Sequence, residues 1–439
     1  MQTAQATRTN RSGRWTRRLV HSLLGSGKEN DRPPKPGRVL APRAEDSMRD
    51  YPGAGLTPSR LAAILREADD GSLSSAMQLF EEMEEKDPHL FAVANTRRLA
   101  LTGLPWQVVS AAEVRDGVDR SAAEEAAAYA REVLAELPGF EESLQHLSLA
   151  VGRNVAVAEL VWDFVDGSLQ VVDVAPVAFT RLAFDEFSRL RILTESEPEE
   201  GIEPAPNKFI VHTPHSVSGF PQRGGLLRVT AMAYLAKNLA LKDWMIFAEV
   251  FGMPVRIARY EPGATPEEKR ELLSMLESLG SNAAGIFSRA VELQVIEANR
   301  GTAGPPYERL VEFLNREMSK AWLGQTLTTD VAGQRGSFAA SAVHENVRRD
   351  VLADDIRKEG RTIRRDLLAP LVRFRFGPDA PVPYFRRKVS PPDGPRELAE
   401  LLDLAVNRLG AAVPQGWAHE ALGIPRAAAE EAVLPGRGE

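Results

Sequence analysis

The sequence predicts an α+β protein that is rich in helix, and three patterns point to this fold class. Helix start signals recur, since Thr57-Pro58 and Asp87-Pro88 each place a capping side chain before a proline at the first helical position. A hairpin signal stands at Asp166-Gly167, between two runs rich in valine. A long apolar run fills the middle of the chain. With 439 residues, the chain is long enough for two or three domains.

Before residue 226 the sequence alternates between helical and strand-like segments. The helical segments carry apolar residues at spacings of three and four, and the strand-like segments are short and rich in β-branched and aromatic residues. We expect helices over residues 59–68, 72–86, 88–101, 121–137 and 141–152, and strands over 106–109, 155–164, 169–174, 179–184, 189–194 and 209–212.

Residues 226–251 predict one long helix, around which the other segments are organised. The stretch contains no internal proline or glycine, and at 1.5 Å per residue it extends about 39 Å. Apolar side chains cover most of its circumference, which indicates burial on several sides. Lys237 and Lys242 interrupt the apolar run, so it is not a membrane span. The pattern fits either the core helix of a large domain or a wall element packed on copies of itself.

A small module and a further set of helices follow. Thr265-Pro-Glu-Glu268 is a capping box, and it stands between two strand-like runs. Residues 325–337 are small, polar and punctuated by glycine, which predicts a mobile loop between helices. We expect strands over 255–260 and 291–296, and helices over 265–279, 307–323, 338–368 (ending at Pro370), 395–409 and 416–422.

Residues 1–52 predict a flexible basic arm. Up to Ala44 they contain ten lysines and arginines against two acidic residues, Glu29 and Asp31. Such a segment is either a solvated tail or an arm that contacts nucleic acid or a partner.

The composition excludes several kinds of chemistry. The chain contains no cysteine, which excludes disulfides, thiolate metal sites and cysteine nucleophiles. Its net charge of −7 argues against a surface coated all over in nucleic-acid-binding charge. His212 and His215 are half a metal site at most, and Asp163, Asp166 and Asp173 surround a turn where aspartate is common. We therefore predict no catalytic site, metal or cofactor.

Several short segments, taken together, resemble the portal proteins of Mu-like bacteriophages. They include Asp87-Pro-His-Leu90 followed by Arg97-Arg98, and Lys237-Asn238. The most specific are Phe251-Gly-Met-Pro254 and, about 70 residues later, Gly324-Gln-Thr-Leu-Thr-Thr-Asp330. The resemblance covers about residues 50 to 430, so the basic arm lies outside it.

The resemblance implies a portal fold with a wing, two stem helices, a clip, a tunnel loop and a crown. The implied boundaries follow the punctuation of the sequence. They are residues 1–52 for the arm, 53–225 for the wing, 226–251 for the first stem helix, 252–303 for the clip, 304–324 for the second stem helix, 325–337 for the tunnel loop, and 338–439 for wing or crown helices and the C-terminal tail.

The resemblance also implies a function without catalysis. Portal proteins form a ring, expected to be a dodecamer, at one capsid vertex of the virion, after assembly in the host bacterial cytoplasm. The ring is the channel through which double-stranded DNA is packaged and ejected. Its implied partners are the terminase large subunit, head–tail adaptor or neck proteins, and the major capsid and scaffold proteins, with no membrane involved.

Two groups of residues follow from this resemblance as candidate functional residues. The tunnel loop has few cations, which suits DNA that must slide without tight phosphate binding. Its candidate channel residues are Thr326, Thr328, Thr329, Asp330, Gln334 and Arg335. The candidate partner-docking residues of the clip are Arg256, Arg259, Glu268 and Arg270.

Other classes of function stay open at the level of sequence. One alternative is a metal-dependent nuclease of a phage or mobile element, for which Asp163 would be a candidate ligand. Another is a monomeric head-assembly adaptor that uses the basic arm. A prophage remnant or a gene-transfer particle would keep the portal fold and change only its setting.

Overall fold

The structure is a computed structural model that describes residues 33–41, 51–165, 167–214, 219–252, 255–260, 265–278, 291–296, 306–326, 338–389 and 395–424. Helices predominate, as the sequence predicts. They are α1 (Pro58–Asp69), α2 (Ser74–Lys86), α3 (Pro88–Thr102), α4 (Ala111–Val114), α5 (Arg120–Glu136), α6 (Phe140–Ser148), α7 (Ala150–Arg153), α8 (Leu226–Gly252), α9 (Pro266–Ser278), α10 (Pro306–Leu323), α11 (Phe338–Ile363), α12 (Ala369–Phe376), α13 (Pro395–Asp403) and α14 (Gln415–Leu422).

Short strands make up the β part of the fold. They are β1 (Trp106–Val109), β2 (Ala156–Val165), β3 (Ser168–Pro176), β4 (Leu182–Phe184), β5 (Leu190–Ile192), β6 (Phe209–His212), β7 (Val255–Tyr260), β8 (Val291–Ile296) and β9 (Tyr384–Arg387). A three-stranded antiparallel sheet has the order β3-β2-β6, and the pairs β4-β5, β7-β8 and β1-β9 form two-stranded sheets.

The predicted hairpin is present and anchors the sheet. Val165 pairs with Ser168, so two residues connect the strands, as the Asp166-Gly167 signal requires. Gly167 has a φ of +76°, a conformation that a residue without Cβ adopts at low cost. Asp166 itself lies outside the described residues. The predicted turn therefore sets the register that places Trp162 fully buried on β2.

The chain divides into two compact units. The larger contains residues up to Gly103 and Val108–Phe385, and its core joins α1–α3, the sheet, the first turns of α8 and the last turns of α10. The smaller comprises Leu104–Gln107 and residues from Arg386 onward. Within it, the Lys388 amide donates to the Pro105 carbonyl at 2.8 Å, and the Arg387 guanidinium donates to the Leu104 carbonyl at 2.8 Å.

Part of the predicted N-terminal arm is folded, which corrects the expectation of a flexible segment through residue 52. Residues 33–41 lie on the sheet, with Pro34 and Leu40 buried and the Gly37 amide donating to the Trp162 carbonyl at 2.8 Å. The prediction is wrong here because partners more than a hundred positions away hold this proline-rich stretch. Residues 1–32 and 42–50 lie outside the described residues.

The long helix that follows the predicted loop does not end at Pro370. A π-helical turn over Arg364–Leu368 continues directly into α12, where Pro370 occupies the second position. A proline is tolerated in the first turn of a helix. Because α12 begins directly after the wider π turn, Pro370 lies in such a first turn although the helical path is continuous. The expected stop at Pro370 is therefore wrong, and the path continues to Phe376.

Three smaller differences also reflect local geometry. The helix expected over 141–152 is split at Leu149 into α6 and α7, and residues Phe179–Arg181 form a 3₁₀ turn in place of the start of a strand. The proline-rich connector after Phe376 contains β9, which sequence periodicity did not indicate. The elements that the sequence does not predict are α7, the 3₁₀ turn and β9. Each has fewer than five residues, which is too short for a repeating pattern of apolar residues to be recognised.

The edge strand β6 is covered by side chains from the end of α11 and the π turn. The Val211 amide donates to Asp366 at 2.9 Å, and Arg365 donates to the Val211 carbonyl at 2.8 Å. Next to them, His212 Nδ1 lies 2.9 Å from the Thr362 hydroxyl in a buried contact. Side chains of the helix thus form hydrogen bonds with the backbone N–H and C=O groups of Val211. At an open sheet edge these groups would be available to pair with another chain.

We predict that His212 makes the fold sensitive to acid. Burial, followed by the charges of Arg365 and Lys358, lowers the pKa of His212 from 6.5 to about 4. Above pH 6.5 the imidazole is neutral whether the chain is folded or not. Between pH 6.5 and about 4 only the unfolded chain binds the proton, so acidification favours unfolding, by about 3 kcal/mol for a pKa difference of this size.

Urea titrations across this pH window test the prediction. His212→Gln is expected to lose less stability on acidification than the wild-type chain. Parallel pH profiles for the two proteins would show that the imidazole is not the acid-sensitive group.

Candidate functional site: a helix pair and its attachments

Helices α8 and α10, here called the helix pair, lie antiparallel and connect the regions expected to carry function. At one end, the first turn of α8 and the last turn of α10 bring the fully buried Leu227 and Trp322 together against Gly152. At the other end, the rings of Phe247 and Tyr307 lie 6.0 Å apart. The first end, here called the base, is embedded in the core, and it precedes the predicted tunnel loop.

A buried ion pair fixes the middle of α8. The Lys237 ammonium donates to Asp87 at 2.7 Å, and both side chains are more than nine-tenths buried. Asp87 also caps the N-terminus of α3, since it accepts the backbone amides of His89 and Leu90 at 3.0 Å. One carboxylate therefore caps the start of α3 and holds α8, and the charge-assisted hydrogen bonds offset the cost of its burial.

The same helix α3 holds α10 at two further points. His89 Nε2 lies 2.8 Å from the Ser319 hydroxyl, and Arg97 donates to the Trp322 carbonyl at 2.9 Å. Burial and the Lys237 charge lower the pKa of His89, which favours its neutral form. The carbonyl of Trp322 is one of the last of α10, a group that has no partner inside its own helix.

Arg97 extends this attachment to α11. Its guanidinium makes a two-point contact with Asp355, with Nε and Nη2 at 2.9 and 3.1 Å from the two carboxylate oxygens. The planar guanidinium suits such a paired contact, while its remaining Nη1 reaches Trp322. Through α3, here called the clamp helix, the elements before and after the predicted tunnel loop are therefore held to one another.

An apolar stripe of α8 is exposed in the part of the chain that the structure describes. Val229, Met232, Leu239 and Ile246 are 66, 58, 43 and 49% exposed. They follow one another at steps of three, seven and seven, so they share one face of the helix, away from the face that carries Leu227, Ala231 and Tyr234 into the core. We call these four residues the uncovered stripe. The described residues of this chain therefore do not supply the expected burial on several sides.

The α10 helix also exposes apolar residues. Leu310 and Phe313 are 43 and 51% exposed, whereas Leu314, Met318 and Trp322 of the same helix are buried. Two different apolar surfaces of the helix pair are therefore accessible in the isolated chain.

The predicted strand–helix–strand module is present between the two helices of the pair. Strands β7 and β8 are antiparallel, and Arg256 and Arg259 stand opposite Val295 and Glu292 in their register. Glu268 does not point to a partner. It accepts the Thr265 amide at 2.7 Å as the capping box predicts, and this contact lowers the pKa of its carboxyl.

Arg270 of the same module is exposed. It donates to Glu267 at 2.9 Å, a surface pair whose members stay open to solvent. Of the four predicted docking residues, Glu268 thus has a local structural role and Arg270 is accessible.

The structure describes only the first candidate residue of the tunnel loop. Thr326 is half-buried, directly after the buried Gln325. Thr328, Thr329, Asp330, Gln334 and Arg335 lie outside the described residues.

The described residues offer no support for a metal or membrane site. His212 is buried against Thr362, and His215 lies outside the described part of the chain. Asp163 and Asp173 accept the amides of their own neighbours, Phe164 and Val174. Within the described ranges, no group of three or more histidines and carboxylates is placed to hold a metal, and no helix is long and apolar enough to cross a membrane.

Comparison with protein families gives a match over most of the chain. The family model described as the portal protein of Mu bacteriophage matches residues 77–424. The Mu-like prophage FluMu protein gp29 of Haemophilus influenzae is 31% identical over 394 residues, which cover 88% of this chain and 74% of that protein. The portal protein of Escherichia phage Mu is 31% identical over 396 residues, with the same coverage of each chain.

Solved structures show the same fold at low sequence identity. A chain in the neck of an empty gene transfer agent particle has a TM-score of 0.51 at 14% identity, covering 78% of this chain and 92% of its own. A chain in the neck of the native gene transfer agent particle, computed with C12 symmetry, has a TM-score of 0.50 at 13% identity, covering 94 and 100%.

We predict that the clamp depends on the buried charge pair. Asp87→Asn keeps an oxygen that caps α3 but leaves the buried Lys237 ammonium without its counter-charge, so we expect a loss of about 3–5 kcal/mol in the free energy of unfolding. The double variant Asp87→Asn/Lys237→Met removes both charges and is expected to lose less than the sum of the single losses.

Chemical denaturation of the four proteins of this cycle measures the coupling. Glu267→Gln, which removes one partner of the exposed pair with Arg270, serves as the control and should leave the unfolding midpoint unchanged. Strictly additive losses at Asp87 and Lys237 would contradict a coupled pair.

Proposed function

This chain belongs to the family of Mu bacteriophage portal proteins, and we propose that copies of it form a closed ring of twelve subunits at one capsid vertex. Double-stranded DNA passes through the ring during packaging and ejection. The family match favours this function over a nuclease or a monomeric adaptor. The mechanism is geometric, since the subunits enclose and line a channel.

The uncovered stripe is the observation that carries the ring. Its residues span most of α8, and leaving them in water forgoes the burial that drives association. Leu310 and Phe313 of α10 are a second, different apolar surface on the same helix pair. Contact between two different surfaces on neighbouring copies is head-to-tail, and such contacts generate rings when the rotation between subunits closes.

We assign the helix pair to the two stem helices, residues 226–251 and 304–324. Residues 252–303 then form the clip, which docks the terminase large subunit during packaging and head–tail adaptor or neck proteins afterwards. Arg256, Arg259 and Arg270 are the docking residues of this proposal, whereas Glu268 supports the clip helix. The support is the position of the module at the distal end of the helix pair.

The remaining regions follow from this assignment. Residues 53–225 form the wing and residues 338–439 contribute wing or crown helices, which meet the major capsid and scaffold proteins. The protein resides at the portal vertex of the virion and assembles in the host bacterial cytoplasm. It performs no catalysis and needs no cofactor.

Residues 325–337 form the tunnel loop of the proposal. Twelve copies of Thr326, Thr328 and Thr329 would present uncharged hydroxyls to passing DNA, with Arg335 as the only cation of the loop. A bore with few cations holds phosphates weakly, so DNA slides with little friction.

We predict that a charge in the uncovered stripe prevents ring closure. Leu239→Glu places a carboxylate at the centre of the proposed subunit contact, where burial of an unpaired charge is unfavourable. We expect negative-stain electron microscopy and mass photometry to show rings for the wild-type chain and monomers or small fragments for the variant.

Leu99→Glu is the matched control, since Leu99 is 61% exposed on the clamp helix and lies outside the stripe. It should assemble as the wild-type chain does. Rings of normal size from Leu239→Glu would exclude the stripe from the subunit contact.

We predict that added cations in the tunnel loop slow DNA movement without affecting assembly. Thr328→Lys/Thr329→Lys adds two positive charges per subunit, which hold phosphates through a salt-dependent attraction. The expected result is intact rings, less DNA packaged per particle, and partial recovery at higher salt.

Thr328→Ser/Thr329→Ser keeps the hydroxyls and serves as the control, with packaging close to the wild-type level. Normal packaging by the lysine variant at every salt concentration would place these residues away from the DNA.

A further inference from the structure

Two oppositely charged side chains are buried side by side on the three-stranded sheet. Glu159 of β2 and Lys208, which precedes β6, bring carboxylate and ammonium to 3.7 Å, with 1 and 2% of the side chains exposed. Burial lowers the pKa of the Lys208 ammonium. A buried pair at this separation is stable only when further hydrogen bonds occupy its remaining donors and acceptors.

Those further hydrogen bonds come from residues 33–41, here called the strap. The Glu159 carboxylate accepts the backbone amides of Val39 and Leu40, the latter at 3.0 Å. The Lys208 ammonium donates to the carbonyls of Gly37 and, at 3.4 Å, Lys35. The Glu159 carboxylate and the Lys208 ammonium thus contact the N–H and C=O groups of one short segment.

Two contacts extend this recognition along the strap. The Gly37 amide donates to the Trp162 carbonyl at 2.8 Å, forming an antiparallel bridge with β2. At the end of the strap, the buried Arg181 donates to the Ala41 carbonyl at 2.7 Å. The sheet therefore holds the strap as an added segment, mainly through hydrogen bonds to its backbone.

The side chains of the strap contribute little to the contact. Pro34 and Leu40 are buried, whereas Lys35, Arg38 and Val39 are exposed. The sheet therefore selects a backbone with an apolar residue near each end. It tolerates other residues at the exposed positions Lys35, Arg38 and Val39, whereas Gly37 has a φ of +85°, which favours glycine.

We infer that Glu159, Lys208 and Arg181 form a peptide-binding site, of which the strap is the exchangeable ligand. The site binds this segment through its backbone groups, with Leu40 as the main side-chain anchor. Because few strap side chains are buried, the segment binds with modest intrinsic affinity and is held mainly by its covalent connection to α1. When the strap occupies this site, its first residue is fixed on the sheet, and the basic residues 1–32 are connected to the sheet at that point.

A nicked chain tests this site in the full protein. A protease recognition sequence is placed within residues 42–50, between the strap and α1, and cleavage there frees the strap from its covalent connection. A fluorescent peptide with the sequence of residues 33–41 is then added, and fluorescence polarisation follows exchange. We expect saturable binding at one peptide per chain, with at least tenfold weaker binding to nicked Glu159→Gln.

The controls separate backbone recognition from nonspecific adhesion. Asp163→Asn changes an exposed carboxylate on the same strand and should leave peptide affinity within twofold. A peptide with alanine at Lys35, Arg38 and Val39 should bind as the parent does, whereas Leu40→Asp in the peptide should abolish binding. These peptide variants test the site on the wild-type nicked chain even if Glu159→Gln does not fold.

Three results would overturn the inference. They are failure of the labelled peptide to exchange into the nicked chain, equal affinity for folded Glu159→Gln, and loss of binding on the alanine changes at exposed strap positions. None of these results bears on ring formation, which is measured separately with the intact chain.

Discussion

The buried ion pair between Asp87 and Lys237 is the interaction on which the placement of the helix pair depends. Its carboxylate caps the start of the clamp helix and holds α8, so a single charged group fixes these two helices together. Further along the clamp helix, Arg97 holds the end of α10 and contacts Asp355 of α11. Buried charges without partners are costly, so the polar contacts restrict the base to this arrangement of helices.

The helix pair thereby combines two opposite properties. Its base is tightly fixed by hydrogen bonds and by the core around Trp322, whereas one apolar face of α8 lies open along its length. A rigid base presents that face in a constant direction, which head-to-tail association of identical subunits requires. A flexible base would let the stripe collapse onto its own subunit. In the ring that we propose, the polar clamp orients the helix pair and the apolar stripe supplies the contact between subunits.

The sequence predicts the elements well where local chemistry decides them. Thr57, Asp87 and Thr265 cap helices as expected, and the hairpin at Gly167 has its predicted register. Sequence-based prediction fails where contacts with residues distant in the chain determine the local structure. Glu159 and Lys208 hold the strap in place, and a π turn accommodates Pro370 within a helical path. The local sequence pattern reveals neither of these features. The family resemblance rests partly on Asp87, Arg97 and Lys237, but spacing along the chain does not show that Asp87 pairs with Lys237 or that Arg97 pairs with Asp355. The sequence does not reveal the uncovered stripe either. A helix with apolar residues on all sides has the same sequence pattern whether it packs against its own chain or against a neighbouring one.

The strap and the β6 edge illustrate how this fold manages its open backbone groups. At β6, Asp366 and Arg365 of the structured π turn occupy the groups of Val211, and both belong to a helix packed in the core. At Glu159 and Lys208 the roles are exchanged. Here side chains of the sheet hold the backbone of the strap, whereas at β6 side chains of a helix hold the backbone of the sheet. The first arrangement closes a sheet edge permanently, because opening it would require moving a helix. The second can open by the departure of a short segment that buries little apolar surface, so the two arrangements differ in the free energy of opening even though both use charged side chains.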